Sequence, residues 1–302
     1  MKDPVVKPHL LIDASIYIFQ YYFSMPDNWF SREGYPTAAV YGYTTFLLRL
    51  LETEKPNRIA ACFDESLGSC FRNQIYSGYK ASRPPADELL AYQIEACREV
   101  TEILGIKTFA SDKYEADDLI GSLVKRLRKS PVPIAILTRD KDLGQLVLRQ
   151  QDYLWDYAKD DRFDEHGLFN RFGVHPHQLA DYLALVGDAI DDIPGVPGVG
   201  PKSAVALLSA HGCIDGIFNN LTDLCLLPVR GAKSLAEKLS DYKDQIYMAR
   251  ELTRIVDNIE LGCSVSELNW RNKRLSEDLM EEFFERMGFP RLVTKALRLK
   301  NI

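Results

Sequence analysis

The sequence predicts an α/β protein with a mostly parallel sheet, followed by a helical region. Short apolar runs typical of buried strands alternate with helical patterns over roughly the first 175 residues. Beyond that point the strand-like runs stop and helical patterns continue. Several of the strand-like runs end in aspartate or precede one closely. Because ligands bind beyond the carboxyl ends of parallel strands, these acids indicate a functional site.

The predicted elements define two regions, 1–175 and 176–302. The predicted strands cover residues 9–13, 58–63, 106–109 and 134–138. The predicted helices cover residues 41–51, 87–104, 115–129, 177–186, 202–208, 242–256 and 276–287. Residues 14–23 are rich in aromatic side chains, most of which we expect in the core.

Three carboxylates crowd into residues 114–118, just before an apolar run that opens a predicted helix. A solvated acidic helix start is one interpretation, because the helix dipole favours negative charge there. Residues three apart share a helix face, however, so Glu115 and Asp118 can converge on a divalent cation. Acids that follow other strand-like runs favour this second interpretation. The nine proposed site acids are Asp13, Asp64, Glu115, Asp117, Asp118, Asp140, Asp142, Asp188 and Asp191.

Composition narrows the classes of protein that the sequence fits. No run of eighteen apolar residues predicts a transmembrane helix, and the N-terminus has no signal-peptide pattern. The six cysteines are too widely spaced for a zinc knuckle or a CxxC motif, so we expect free thiols in a reducing cytoplasm. The net charge is −6, but setting aside the nine site acids leaves 34 acidic against 37 basic residues. The remaining surface is therefore compatible with nucleic acid.

Two further segments suggest contacts with phosphates. Residues 70–85 interleave basic and aromatic side chains without an acid, as in segments that follow a nucleic-acid backbone, although a solvated loop has a similar composition. Gly198 and Gly200 flank one apolar residue directly before a predicted helix that carries Lys202. Backbone N–H groups at such a turn can hold a phosphate. The alternative is a simple Gly-Pro turn.

Taken together, these motifs resemble the bacterial 5′ nuclease family, which includes the 5′-nuclease domain of DNA polymerase I and the flap endonucleases. The resemblance runs from about residue 9 to about residue 262. The motifs that carry it are LIDAS, CFDES, YKASRPP, YEADD, TRDKDL, GDAIDDIPGVPGVGPKSA and VRGAKSLAEKL. One departure is Gln20, where many polymerase-type members have arginine. No polymerase motifs follow residue 262, so the chain is either a stand-alone nuclease or an excised domain.

The resemblance implies a PIN-like α/β core, a helical arch near residues 70–100 and a helix-hairpin-helix (helix-three-turn-helix) near 177–208. It implies that all nine acids bind two or three magnesium ions, with manganese as a substitute and potassium at the hairpin. We expect Glu115, Asp117, Asp118 and Asp140 mainly on one ion, and Asp142, Asp188 and Asp191 mainly on another. Asp13 and Asp64 would support both. Two such ions, roughly 4 Å apart, can activate water and stabilise a leaving oxygen.

The function implied is that of a 5′-3′ exonuclease and flap endonuclease that hydrolyses DNA in replication and repair. We expect a bacterial cytoplasmic monomer that acts on 5′ ends or flaps at single-strand/duplex junctions, without a membrane partner. Lys80 and Arg83 are the expected contacts to the scissile phosphate. The expected DNA-binding residues are Arg72, Tyr79, Lys80, Arg83, Gly198, Gly200, Lys202, Arg230 and Lys233. Two alternatives remain: a DNA-binding protein that does not cut, and a PIN-type ribonuclease.

Overall fold

A computed structural model describes residues 6–26, 28–65, 70–84, 87–271, 273 and 275–301. Its sheet has the strand order β3-β2-β1-β4-β5-β6, with only the last pair antiparallel. The strands are β1 (His9–Asp13), β2 (Ile59–Asp64), β3 (Lys107–Ser111), β4 (Ile134–Leu137), β5 (Tyr153–Asp156) and β6 (Asp161–Phe163). The four predicted strands and the mostly parallel sheet are confirmed. Strands β5 and β6 were not predicted, because they are short and, unlike the equally short β4, do not consist of a run of aliphatic residues.

Helices surround the sheet and make up the second region. They are α1 (Ala14–Ser24), α2 (Ala38–Glu54), α3 (Phe71–Ile75), α4 (Glu88–Ile103), α5 (Ala116–Leu127), α6 (Glu165–Phe172), α7 (Leu179–Val186), α8 (Pro201–His211), α9 (Ile214–Asn219), α10 (Leu235–Asp241), α11 (Lys243–Thr253), α12 (Glu277–Arg286) and α13 (Leu292–Leu297). In the described part of the chain, none of the helices has the length and apolar character needed to cross a membrane.

The side chains of β1 alternate between two hydrophobic layers, as strand geometry requires. Leu10 and Ile12 pack on one face of the sheet with α1, α2 and α4, whereas Leu11 packs on the other face with α5. Burial on both faces explains why the central strands β1, β2 and β4 are almost uniformly apolar. The sheet is therefore a rigid platform whose carboxyl edge can present side chains.

The second region has a hydrophobic cluster formed mainly by residues of α7 to α11, into which Cys70 and Tyr79 of the first region also pack. Helices α12 and α13, by contrast, pack into the cluster of the sheet through Met280, Phe283 and Ala296. The division at residue 175 remains a prediction. The packing groups the last two helices with the sheet.

Two local expectations differ from the structure. In α1, Tyr17 is buried but Phe23 is 79% exposed, because only one face of this helix meets the sheet. The predicted arch contains α3, a series of turns and α4, but α4 packs into the core through Ala96, Cys97 and Val100. Residues 66–69 and 85–86, beside and within the predicted arch, lie outside the described residues.

Candidate active site

Acidic side chains collect at the carboxyl edge of the sheet, where the strand order changes direction between β1 and β4. Asp13 ends β1 and accepts a hydrogen bond from Thr138 Oγ1 (2.8 Å). Asp64 ends β2 and accepts a hydrogen bond from the backbone N–H of Ala116 (2.6 Å), at the start of α5. This is the position at which open parallel sheets bind ligands.

The carboxylates of this group raise one another's pKa. Burial, together with the neighbouring Asp64, raises the pKa of Asp13 to about 7. Burial and Asp140 raise the pKa of Asp142 to about 8. The pKa of Asp117 is well above its usual range, because that carboxyl is buried and lies close to Asp140 and Asp13. Negative charge is therefore costly here, and a bound cation would offset that cost.

Asp140 and Asp142 follow β4 but do not lie on an extended segment. Strand β4 ends at Leu137, and Asp142 begins a 3₁₀ helix, Asp142–Leu146. The backbone N–H of Asp142 donates to Asp140 Oδ1 (2.8 Å), which fixes the turn between them. Both carboxylates still belong to the acidic group. Burial and the nearby Asp191 raise the pKa of Asp140, and burial and Asp140 raise the pKa of Asp142.

A loop between α7 and α8 brings Asp188 and Asp191 to the same group. The loop closes through paired backbone hydrogen bonds between Asp188 and Ile193 (2.8 and 2.9 Å). Gly187 and Gly195 allow this closure, because a Cβ on Gly195 would lie 2.3 Å from the carbonyl oxygen of Val186. The turn therefore requires glycine, and the acids beside it are held against the sheet.

Two basic side chains of the segment 70–84 pair with these acids. Lys80 Nζ lies 2.5 Å from Glu115 Oε1 and 3.7 Å from Asp191 Oδ2. Arg83 Nη2 lies 2.5 Å from Asp191 Oδ1. Burial opposes ionisation of Glu115, but Lys80 and Arg72 outweigh it and lower the pKa of that carboxyl. The structure thus places Lys80 and Arg83 over the acidic group.

Three of the predicted site residues are engaged elsewhere. Arg72, predicted to contact DNA, is 3% exposed and grips both oxygens of Asp118 (2.7 and 2.8 Å). Asp118 also accepts from the backbone N–H of Val256 (2.9 Å), so the oxygens expected to bind metal are already used. Tyr79 is buried and donates to Glu115 Oε2 (2.8 Å). These side chains form the support of the site, and we correct their assignments accordingly.

The remaining donor chemistry fits a divalent cation. Asp142 Oδ1 is buried without a hydrogen-bond partner, and among the described residues no hydrogen bond or ion pair engages the carboxylate of Asp117. Among the same residues, no group of three or more Asp, Glu, His or Cys side chains is arranged so that it could hold a metal ion. Several of the carboxylates are instead held by lysine or arginine, and those cations must move for a metal to bind.

The predicted hairpin is present between α7 and α8. Gly198 has a left-handed backbone (φ +78°), and a Cβ there would lie 2.8 Å from Lys238 Nζ. Gly200 precedes α8, and a Cβ on Gly200 would meet open space. Lys202, Arg230 and Lys233 are exposed. The structure thus places the glycine turn directly before α8 and next to exposed positive charge, as the spacing of Gly198, Gly200 and Lys202 predicted.

Sequence reasoning missed three residues that border the site. Thr138 holds Asp13, Lys141 Nζ pairs with Asp188 (2.6 Å), and Lys238 lies beside Gly198. The first two stand within the motif TRDKDL, next to acids that were recognised. Their adjacency was the available signal. Lys238 lies within the quoted motif VRGAKSLAEKL, but the motif does not indicate that its side chain reaches the hairpin from α10.

Two family models match the chain. The description "5'-3' exonuclease, N-terminal resolvase-like domain" covers residues 8–173, and "5'-3' exonuclease, C-terminal SAM fold" covers residues 174–276. The second model agrees with the helical region. Together the models confirm the resemblance inferred from the motifs.

Relatives of two lengths align with the chain. A 5'-3' exonuclease of Aquifex aeolicus is 34% identical over 272 residues, covering 90% of each chain. A 5'-3' exonuclease of Buchnera aphidicola (subsp. Schizaphis graminum) is 32% identical over 274 residues, covering 89% of this chain and 94% of that protein. DNA polymerase I of Pseudomonas aeruginosa is 35% identical over 262 residues, covering 86% of this chain. The chain matches only 28% of the length of that polymerase.

Solved structures share the fold at low identity. A bacteriophage T5 flap endonuclease in a pseudo-enzyme–product complex with DNA and metal ions has a TM-score of 0.67 at 15% identity, covering 98% of this chain and all of that one. The catalytic core of Rad2 with a DNA substrate has a TM-score of 0.63 at 16% identity, covering 98% and 92%. Because the two exonuclease models together span residues 8–276 and the Aquifex relative aligns over 90% of both chains, this chain belongs to the 5'-3' exonuclease family.

Proposed function

We propose that the chain is a divalent-metal-dependent, structure-specific 5′ nuclease that hydrolyses DNA phosphodiesters as an exonuclease and flap endonuclease. The observation that carries the proposal is the group of mutually repelling carboxylates at the carboxyl edge of the sheet, faced by Lys80 and Arg83. Such a group suits the binding of divalent cations together with an anionic substrate. The cations offset the negative charge of the carboxylates, and the negative charge of the substrate offsets that of the cations. The T5 structure is a complex with DNA and metal ions, and the Rad2 structure is a complex with a DNA substrate, which supports the same assignment.

The proposed metal-holding residues are eight of the nine acids: Asp13, Asp64, Glu115, Asp117, Asp140, Asp142, Asp188 and Asp191. Asp118 is left out, because Arg72 and the backbone of Val256 occupy its oxygens. Magnesium is the proposed ion, since it prefers carboxylate oxygen and keeps several waters. Bound divalent ions would supply an activated water and stabilisation of the leaving oxygen.

The chain's own cations would exchange partners when substrate binds. Lys80 and Arg83 pair with Glu115 and Asp191 in the free protein. A phosphate that enters the site would offer Lys80 and Arg83 negatively charged oxygens in place of the carboxylates. The carboxylates of Glu115 and Asp191 would then be available to bind metal. Lys80 and Arg83 would then stabilise the charge that develops on the scissile phosphate. Tyr79 would remain on Glu115 and keep that carboxylate oriented.

The grip on duplex DNA is proposed for the hairpin and its neighbours. Gly198 and Gly200 would present backbone N–H groups, with potassium as the proposed ion at the turn. Lys202, Arg230 and Lys233 are exposed cations for duplex phosphates. The proposed substrate is therefore a junction with a 5′ end at the acidic group and duplex at the hairpin, bound by a monomer.

A time course on 5′-labelled DNA tests this function. Flap, blunt-duplex and single-stranded DNA, with an RNA of matched sequence, are incubated with the protein with and without magnesium. We expect magnesium-dependent release of short 5′ products from DNA, fastest at a junction. Binding without cleavage would support the non-cutting alternative, and preferred cleavage of the RNA would support the ribonuclease.

A further inference from the structure

Arg139 stands between two residues that face the acidic group, but its own side chain lies against different elements. On either side of it, Thr138 holds Asp13 and Asp140 joins the acidic group. The guanidinium of Arg139 donates through Nη1 to Gln20 Oε1 in α1 (3.2 Å), and its Nε lies 3.3 Å from Asp156 Oδ2 at the end of β5. Arg139 is thus fixed at the rim of the site by two neighbouring elements.

The charge of Arg139 is only partly balanced. Asp156 is the acid that pairs with it, and Lys159 Nζ also lies 4.0 Å from the same oxygen of Asp156. One carboxylate therefore serves two cations. Gln20 supplies an oxygen without charge, and in the described part of the chain Nη2 of Arg139 has no partner. The side chain is 39% exposed, so a free pair of donors is accessible from solvent.

The position and chemistry of this group suit a phosphate. Arg139 is the neighbour of Asp140 in sequence, and their Cα atoms are about 3.8 Å apart. A strand whose scissile phosphate lies at the acidic group would therefore bring an adjacent phosphate within reach of a side chain as long as that of arginine. The guanidinium fork matches phosphate geometry and keeps its charge at every working pH.

We propose that Arg139 binds a phosphate of the substrate strand next to the scissile one, with Gln20 and Asp156 orienting its guanidinium. This inference rests on the proposed nuclease function and adds a substrate contact that comes from the rim after β4. Gln20 is the position where many polymerase-type members have arginine. In this chain Gln20 would instead orient Arg139, an arginine that follows β4. The contact is to substrate and leaves the metal-holding carboxylates untouched.

The test compares Arg139→Gln, Arg139→Lys and Gln20→Ala with Arg32→Gln. Arg32 is an exposed arginine whose ion pair is with Glu285, so its variant loses the same charge elsewhere. Equilibrium binding to a flap DNA is measured in calcium over a salt series. Magnesium binding without DNA is measured by calorimetry, and melting temperature verifies folding.

We expect Arg139→Gln to weaken DNA binding about tenfold and to reduce the salt slope by about 0.7–0.9. Arg139→Lys should keep the slope and lose about threefold in affinity, because charge remains but the fork is lost. Gln20→Ala should weaken binding without a change in slope. Magnesium binding should equal that of the unchanged protein for all variants.

Equal affinity and slope in Arg139→Gln and Arg32→Gln, with DNA cleaved normally by the unchanged protein, would overturn this inference alone. Loss of magnesium binding in Arg139→Gln would also overturn it, because the residue would then act through the carboxylates. If the unchanged protein neither binds nor cleaves DNA, the proposed function falls together with it.

Discussion

The guanidinium of Arg72 binds both carboxylate oxygens of Asp118, and neither side chain is accessible to more than a trace of solvent. Arg72 also donates to the carbonyl oxygens of Leu252 (2.8 Å), in the last turn of α11, and of Arg254 (3.0 Å), directly after α11. The pair therefore ties α3, α5 and the C-terminal end of α11 together. It lies directly behind Glu115, to which Arg72 Nη1 also donates (3.0 Å).

Arg72→Met should destabilise the protein by about 3–5 kcal/mol, because it leaves the carboxylate of Asp118 buried without its partner. The free energy of unfolding is measured by denaturant titration. Arg83→Met is the control, since it removes an arginine from a half-exposed pair with Asp191, where a loss of about 0–1 kcal/mol is typical. Equal losses in the two variants would show that the buried pair is not the structural link described here.

Asp140→Asn should abolish magnesium-dependent cleavage while the metal-free protein keeps or gains thermal stability. The amide oxygen can still accept the hydrogen bond from the N–H of Asp142, and the substitution removes a charge that its neighbours repel. Cleavage rate and melting temperature are measured on the same samples. Near-normal turnover would contradict the metal-site assignment, and a large drop in melting temperature would contradict the repulsion on which it depends.

The sequence was sufficient to predict the strands that carry the site and the acids that end them, because a buried parallel strand has an unmistakable apolar pattern. It could not separate Asp118 from Asp117. Adjacent residues on a helix point in different directions. Only the packing of Arg72 against α5 shows that the carboxylate of Asp118, and not that of Asp117, is bound by an arginine. The same limit applies to Tyr79, whose aromatic ring fits a stacking platform in sequence but is buried against Glu115.

The metal-free protein should lose stability as pH rises from 6.5 to 8.5. The pKa values of Asp13 and Asp142, about 7 and 8, lie above the usual 3.9 of an unfolded aspartate. The folded state therefore holds more protons in this window, and stability falls as they are released. His9, whose pKa is lowered to about 4 by burial and Arg58, acts mainly below pH 6.5 and in the opposite direction.

Melting temperatures measured with chelator across this window test the sign of the effect. Magnesium should raise the melting temperature more at pH 8.5 than at pH 6.5, because it binds the ionised carboxylates. Asp142→Asn should flatten the metal-free profile. A metal-free profile that rises with pH would contradict the crowding of these carboxylates.

Lys80→Ala and Lys202→Ala should separate the chemistry of the site from the grip on DNA. Lys80 contacts Glu115 and Asp191 within the acidic group, whereas Lys202 is exposed at the start of α8. A contact that strengthens only in the transition state lowers the rate when removed, and a contact made equally throughout lowers affinity. Lys80→Ala should therefore reduce the single-turnover rate far more than DNA binding.

Lys202→Ala should weaken duplex binding and make its salt dependence shallower by about one unit of slope, as the loss of one phosphate contact requires. Both variants are measured for binding and for single-turnover cleavage at saturating enzyme over the same salt series. Lys238→Ala is a useful companion, because its ammonium group lies beside Gly198 and should add to the same grip. If Lys80→Ala loses affinity alone, or if Lys202→Ala leaves the salt slope unchanged, the two surfaces do not divide the work in this way.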